Sequence, residues 1–138
     1  MASKVFIDAN ILLDFLLKRN DYEDAKKIIR LIIDKKIRAF ITPAIVHIVG
    51  YWVAKAYGNA TAKELLLNLL SDITVIDSNH QITLIALHSK IDDIEDALQY
   101  YTAIQHKIDF FLSRDKQLQK SAIASLPVCN MEEFLKMY

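Results

Sequence analysis

Cysteine and glycine are both scarce in the 138-residue chain, and each shortage excludes a class of protein. The single cysteine, Cys129, cannot form an internal disulfide or a cysteine-rich zinc site, which is typical of a reducing compartment. The two glycines, Gly50 and Gly58, cannot build a glycine-rich phosphate loop or a dinucleotide-binding turn, because each needs several residues without a Cβ. Nucleotide-binding folds of these two kinds are therefore excluded.

Long hydrophobic runs are also missing. The longest apolar stretch near the start, residues 5–17, is interrupted by three polar residues, Asp8, Asn10 and Asp14. It is therefore neither the core of a signal peptide nor a membrane span. We expect a soluble cytoplasmic protein that does not bind a membrane.

The chain has no net charge, with 17 basic and 17 acidic side chains, so it lacks the overall basic character of many nucleic-acid-binding proteins. The zero is a cancellation, because residues 1–69 carry 11 basic and 7 acidic side chains and residues 70–138 carry 6 and 10. Eight of the basic side chains lie between positions 18 and 38. This segment is either a phosphate-facing surface or an ordinary solvated helix face.

Short apolar runs alternate with helical patterns along the whole chain. The apolar runs predict strands over residues 4–7, 37–42, 73–76, 108–112 and 126–130. This alternation predicts an α/β fold in a single domain spanning residues 1–138, with a parallel sheet of about five strands covered by helices on both faces. Ligands of such sheets bind at the carboxyl ends of the strands.

Three aspartates are expected at that edge of the sheet. Asp8 follows the first predicted strand and Asp115 follows the fourth. Asp96 opens a helix of about 11 residues that travels roughly 16 Å, and the next strand returns about the same distance. Asp8, Asp96 and Asp115 should therefore lie at one level.

Three carboxylates in one crevice repel each other and raise each other's pKa unless a cation neutralises them. Mg²⁺ or Mn²⁺ is the expected cation, since hard cations prefer carboxylate oxygens and no cysteine or close histidine pair favours zinc. A cation held in this way can activate water and stabilise charge on a phosphodiester. Metal-assisted phosphodiester hydrolysis is therefore the leading hypothesis.

Three segments resemble motifs of the PIN domain family of nucleases, which includes the toxin half of bacterial VapBC toxin–antitoxin pairs. They read FIDANILLD, IEDALQ and FLSRD, at Phe6–Asp14, Ile94–Gln99 and Phe111–Asp115. The resemblance implies a three-layer α/β/α sandwich and cleavage of RNA, with Asp8, Asp96 and Asp115 as the metal-binding acids. It also implies that Asn10 and Ser113 are supporting polar groups.

One part of that family's pattern is missing here, an acidic residue on the helix after the second strand. No carboxylate occurs between Asp34 and Glu64, and His47 is the polar residue nearest to the expected place. His47 either contacts the metal or a phosphate, or is a structural residue of its helix, and Asp93 is another source of the missing charge. Two functions follow. The first is a ribonuclease in which Arg114 contacts the substrate backbone, and the second is a degenerate domain that binds RNA, single-stranded or structured, or a protein without cutting.

The helix around residues 45–54 is apolar on nearly all sides, including Tyr51 and Trp52. Such a helix is either buried or needs a partner, which predicts a homodimer or an interface for a cognate antitoxin. The aromatic pair could also stack on bases.

Structural interpretations remain open for several of the acids. Asp8 could be a turn residue that ends its strand, with Asn10 capping the helix that follows, and Asp115 could simply cap the helix after it. Asp14 lies six residues after Asp8 and is expected to be either solvated or supporting, not a metal ligand.

Overall fold

Strands and helices alternate in the computed structural model, which describes residues 1–138. The five strands are β1 (Ser3–Ile7), β2 (Ile37–Ile41), β3 (Ile73–Val75), β4 (Phe110–Leu112) and β5 (Val128–Cys129). The eight helices are α1 (Ala9–Leu16), α2 (Tyr22–Ile33), α3 (Pro43–Tyr57), α4 (Asn59–Leu69), α5 (His80–His88), α6 (Ile94–Gln105), α7 (Lys116–Ser121) and α8 (Met131–Leu135).

All five strands are parallel and form one sheet in the order β3-β2-β1-β4-β5. From β1 the chain builds β2 and β3 on one side, and it then crosses back to build β4 and β5 on the other. The crevice between the carboxyl ends of β1 and β4 is therefore the crossover point, where open α/β sheets bind their ligands. The predicted α/β/α sandwich with a parallel sheet of about five strands is confirmed.

The central strands and helix α6 are held together by aromatic packing. Phe6 of β1 pairs in register with Phe111 of β4, and their stacked rings lie 4.7 Å apart. Tyr100 of α6 is fully buried, with its ring 5.7 Å from that of Phe111. Because large buried rings contribute much of the packing free energy, this contact determines where α6 lies on the sheet.

Several strand boundaries differ from the prediction by one or two residues, and at two of them the chain turns earlier or later than the apolar pattern indicates. Lys107 adopts a positive φ of 57°, and the Ile108 N–H donates back to the Ala103 carbonyl, so β4 starts only at Phe110. Thr42, predicted as the end of β2, instead caps α3. Side-chain capping competes with strand hydrogen bonding at such positions.

Helix α3 is only partly buried, although its sequence is apolar on nearly every side. The stripe formed by Ile45, Val49 and Val53 is buried, whereas Tyr51 and Trp52 are 55% and 48% exposed. Of the two predicted alternatives, the structure therefore shows the surface helix and not the wholly buried one. No helix in the structure combines the length and the apolar character needed to cross a membrane.

Candidate active site

Asp8 lies at the carboxyl end of β1, beside the end of β4. Its backbone N–H donates to the Leu112 carbonyl at 3.1 Å. Its Oδ1 accepts the Ala9 N–H at 2.8 Å, which makes Asp8 the N-cap of α1. Its Oδ2 accepts the Ser113 hydroxyl at 2.8 Å. Donors from two segments thus hold both carboxylate oxygens in place. The cap of α1 is Asp8 and not Asn10, which lies inside the helix, so the structural alternative given above for these two residues is wrong in this respect.

Ser113 and Asp115 follow β4. Ser113 is buried, and its Oγ accepts the Asp115 N–H at 3.1 Å while donating to Asp8. Oδ1 of Asp115 accepts the N–H groups of Gln117 and Leu118, at 2.9 and 3.2 Å, and caps α7. Ser113 therefore connects the two aspartates that the sequence analysis assigned to one site.

Helix α6 brings Asp96 to the same edge. Asp93 caps this helix, and its Oδ1 accepts the Asp96 N–H at 2.8 Å. Burial raises the pKa of the half-buried Asp96 to about 7, and a hydrogen bond with Asp115 and the charges of Asp8, Asp93 and Asp115 contribute to the rise. Two carboxyl groups can share a hydrogen bond only through a proton, so when no cation is present Asp96 keeps its proton until the pH approaches 7.

The electrostatic surroundings of Asp8 are similar. Burial raises its pKa, whereas its hydrogen bonds from Ser113 and Ala9 lower it. The charge of Asp115 raises the pKa of Asp8 and that of Arg114 lowers it. Among the charges that shift the carboxyl pKa values at this edge, only that of Arg114 is positive. The group therefore carries more negative charge than the protein itself neutralises.

Glu95 is a further carboxylate at this edge that sequence reasoning missed. Burial raises its pKa, and the charges of Asp8 and Asp93 raise it further, so Glu95 lies within electrostatic range of Asp8. The acidic run at residues 92–96 is explained equally well as a helix N-terminus, where carboxylates favour the helix dipole. The one sequence signal for Glu95 is its place next to Asp96, and that does not reveal which direction its side chain takes.

His47 lies elsewhere. It is exposed on α3 and lines an open groove of about 530 Å³ with Tyr51 and Lys55, and it forms no hydrogen bond or salt bridge with the aspartates. Where β2 ends, the polar contact with α6 is a neutral one, in which the buried Thr42 hydroxyl donates to Oε1 of Gln99 at 2.5 Å. The structure therefore shows no direct contact between His47 and the predicted aspartates.

Asp14 is completely buried, so of its two expected roles, solvated or supporting, the structure excludes the solvated one. Its Oδ1 accepts Nε of Arg19 at 2.8 Å, and its Oδ2 accepts Nη1 of Arg114 at 3.1 Å. Nη1 of Arg114 also reaches Asp21 at 3.3 Å. Nη2 of Arg19 donates to the carbonyl and side-chain oxygens of Asn10, at 3.1 and 3.3 Å. Asn10, predicted as a supporting polar group, and Arg114, predicted to contact the substrate backbone, thus both belong to the hydrogen-bond network around Asp14.

The carboxylates at the crossover point offer the oxygen donors that a hard divalent cation prefers, without thiolate or imidazole among them. The raised pKa values of Asp8 and Asp96 indicate that a cation would be favoured there. No group of three or more His, Cys, Asp or Glu side chains in the structure is gathered closely enough to hold a metal ion as it stands. Asp8, Asp96 and Asp115 fit such an ion by chemistry and need to approach each other to bind it.

Comparison with protein families finds one matching family, described as PIN domain, whose model matches residues 4–117. No curated protein matches the chain significantly.

Several solved structures share the fold. VapBC2 from Rickettsia felis, bound to a DNA fragment from its promoter, aligns with a TM-score of 0.69 and 17% identity over 92% of this chain and 98% of that one. VapC20 from Mycobacterium tuberculosis, a sarcin–ricin loop cleaving toxin, aligns at 0.67 and 12% identity over 88% and 97% of the two chains. A toxin–antitoxin complex from Klebsiella pneumoniae aligns at 0.65 and 19% identity over 88% and 94%. Identities this low establish a shared fold only.

Proposed function

The chain belongs to the PIN domain family, a family of nucleases, and from that premise we propose that it is a Mg²⁺- or Mn²⁺-dependent ribonuclease that hydrolyses RNA phosphodiester bonds. The observation that carries the proposal is the group of carboxylates at the crossover point of the sheet. Asp8, Asp96 and Asp115 come from β1, α6 and the end of β4, where the charge of Asp115 raises the pKa of Asp8 and the charges of Asp8 and Asp115 raise the pKa of Asp96. Carboxylates that lack cationic partners and stand where α/β sheets bind ligands are suited to a divalent cation.

Asp8, Asp96 and Asp115 would hold the cation. Such a cation supplies Lewis acidity, because it lowers the pKa of an attacking water and stabilises negative charge that develops on the phosphate. Ser113 orients Asp8 through its hydroxyl and fixes Asp115 through the Asp115 N–H. Asp93 holds the first turn of α6, so that Asp96 stays at the edge of the sheet.

Glu95 supplies a fourth carboxylate near Asp8 in a chain that lacks the acid expected on α3. The proposal therefore does not require His47 as a metal ligand.

RNA would reach this edge past the basic side chains of the first half of the chain, where residues 1–69 carry a net positive charge. Arg114, with a side chain 45% exposed, is the cation next to Asp115.

The test is RNA cleavage by the purified chain with added Mn²⁺, compared with Asp8→Asn. This substitution preserves the cap of α1, since asparagine caps helices as well as aspartate does, but it removes a charge from the site. We expect cleavage to fall by more than about 100-fold, because losing a ligand exceeds the 10- to 100-fold effect of losing an outer-shell partner. Asp34→Asn, an exposed aspartate at the C-terminus of α2, is the matched control and should cleave as wild type does. Undiminished cleavage by Asp8→Asn would refute the assignment.

The toxin role and the partners are part of the same proposal. The similar structures include a toxin–antitoxin complex, which supports a cognate antitoxin as a partner.

The exposed Tyr51, Trp52 and Tyr57 on α3 support a homodimer that uses this helix. Light scattering at micromolar concentration should give twice the 15.8 kDa mass of the chain. A monomeric mass for the wild-type protein would contradict the homodimer, and a dimeric mass for Trp52→Glu would contradict the use of α3 as its interface.

A second candidate function is a degenerate PIN domain that binds RNA or a protein without cutting. The absence of a closed set of three metal ligands supports it, as does the missing acid on α3. Calorimetry with Mn²⁺ separates the two functions. A ribonuclease should bind Mn²⁺ and lose this binding in Asp8→Asn. A degenerate domain should show little Mn²⁺ binding, should bind RNA equally well in the metal chelator EDTA, and should not cleave it.

A further inference from the structure

Asp14 is the one charged residue among the buried residues of the chain. Taking a carboxylate out of water costs several kcal/mol, and the attraction of its partners often does no more than offset that cost. A buried ion pair is consequently weak evidence for a role in stability. The reason for placing a charge at position 14 has to be sought in the groups that it holds.

Asp14 holds two arginines that come from different parts of the chain. Arg19 follows α1, and its Nε donates to Oδ1 of Asp14 at 2.8 Å, while its Nη2 donates to both oxygens of Asn10. Arg114 lies between Ser113 and Asp115, and its Nη1 donates to Oδ2 of Asp14 at 3.1 Å. One buried carboxylate thus connects the start of α1 with the turn after β4, on either side of Asp8.

We propose that Asp14 is a positioning residue of the candidate metal centre, which acts by holding Arg114 and so the turn that carries Ser113 and Asp115. The inference rests on the proposed function. Ser113 donates to Oδ2 of Asp8 at 2.8 Å and accepts the Asp115 N–H at 3.1 Å, so a shift of this turn moves two of the three proposed ligands together. Groups that orient metal ligands are commonly needed for full metal affinity.

The network also sets the direction of Arg114. Nη1 of its guanidinium is directed to Asp14 and Asp21, so part of the cation is already used inside the protein. A substrate-binding Arg114 acts on RNA, and its loss raises KM while leaving Mn²⁺ affinity unchanged. A positioning Arg114 acts on the carboxylates, and its loss weakens Mn²⁺ binding even when no RNA is present.

The experiment is calorimetric titration of the metal-free full-length chain with MnCl₂ at pH 7.5, in the absence of RNA. The variants are Asp14→Asn, Arg114→Gln and the double variant. We expect each single variant to bind Mn²⁺ about 10- to 100-fold more weakly. Since both act through one contact, the double variant should be no weaker than the weaker single variant. Asp21→Asn, which removes the exposed partner of Arg114, is the control and should bind within twofold of wild type.

Wild-type affinity in Arg114→Gln overturns the inference, and this variant keeps the test valid if Asp14→Asn does not fold, because Arg114 is a surface side chain. Losses that add up in the double variant also overturn it. If wild type binds no Mn²⁺, or if Asp8→Asn binds it equally well, the proposed function fails and the inference fails with it. If Asp8→Asn loses Mn²⁺ while Asp14→Asn and Arg114→Gln retain it, only the inference fails.

Discussion

Asp14 on α1 and the carboxylates at the crossover point, beginning with Asp8 at the start of α1, differ in how their negative charge is neutralised. Asp14 is fully buried and is met by two arginines, with N–O distances of 2.8 and 3.1 Å. Asp8 and its neighbours Asp96 and Asp115 are half-buried, and their partners are N–H groups, a hydroxyl and a hydrogen bond between Asp96 and Asp115. The same functional group is neutralised by the fold at one place and left charged or protonated at the other.

The contrast separates a structural charge from a functional one. Asp14 already has its cations, so an added metal ion would gain little there. The carboxylates at the crossover point can be neutralised only by a cation bound from solution, and in the metal-free protein their mutual repulsion opposes folding. Carboxylates that repel each other in the metal-free protein lower its stability, and such a loss of stability at a functional site is common.

The largest expected difference between the two groups is their response to Mn²⁺. A ligand that binds only the folded state at 100 times its Kd stabilises that state by about 2.7 kcal/mol. We expect urea denaturation to show this gain for wild type and to show none for Asp8→Asn. Absence of any Mn²⁺ effect on wild type would remove the distinction between the two groups.

The next difference is the cost of neutralising one carboxylate in metal-free protein. Asp14→Asn leaves Arg19 and Arg114 without their shared anion and should cost about 2 kcal/mol, below the 3–5 kcal/mol typical of fully buried pairs because both arginines reach water. Asp8→Asn keeps its hydrogen-bonded cap and relieves repulsion, so its free energy of unfolding should equal or exceed that of wild type. Chemical denaturation in EDTA measures both. Equal losses in the two variants would show that Asp8 is as well compensated as Asp14.

A smaller difference lies in the pH dependence of stability. The pKa of Asp96 in the folded protein is about 7, above the ordinary value of 3.8, so the folded state binds this proton more tightly than the unfolded state does. Its contribution is complete below about pH 4 and is lost as the pH rises through 7. Because Asp96 is half-exposed, solvent screening limits the loss to about 1 kcal/mol. Asp96→Asn in EDTA should not show this loss between pH 4 and 8, and an unchanged pH profile would place Asp96 away from the other carboxylates.

The smallest expected effect is at the rim of the arginine network. Asp21 is exposed and 3.3 Å from Arg114, and its side chain makes no capping hydrogen bond in α2. Asp21→Asn should change the free energy of unfolding by less than about 0.5 kcal/mol, as is usual for surface ion pairs. A larger loss would mean that Arg114 depends on Asp21 as well as on Asp14.

The parts of the fold that could be predicted are those that local patterns specify. The apolar run before Asp8 predicted β1, and the regular alternation of strands and helices predicted the parallel sheet. Geometry alone then placed Asp8, Asp96 and Asp115 at one edge, since helix rise and strand rise are constants. The resemblance to the PIN domain family was carried by the same segments and is confirmed by the family match over residues 4–117.

Other features could not be predicted, because they depend on which surfaces meet. Ile33 belongs to the apolar stripe of α2 by spacing, yet it is 52% exposed, although its neighbour Ile32 is buried. Glu95 and Asp96 are neighbours in the chain, and only the packing of α6 on Phe111 through Tyr100 determines how near each lies to Asp8. His47 was considered for the site because it is the nearest polar residue in sequence, and α3 carries it to a separate groove.

The sequence by itself determined the succession of strands and helices along the chain and the family. It also determined that Asp8 and Asp115 lie at the carboxyl ends of strands. Only the tertiary structure decided which carboxylates are neutralised. Asp14 receives Arg114 from 100 residues away, and a pairing over that distance exists only once β1 and β4 have come together. The sequence gives the number and order of the charges. Their electrostatic free energy depends on how far apart they lie and how deeply they are buried, and only the folded protein sets those two quantities.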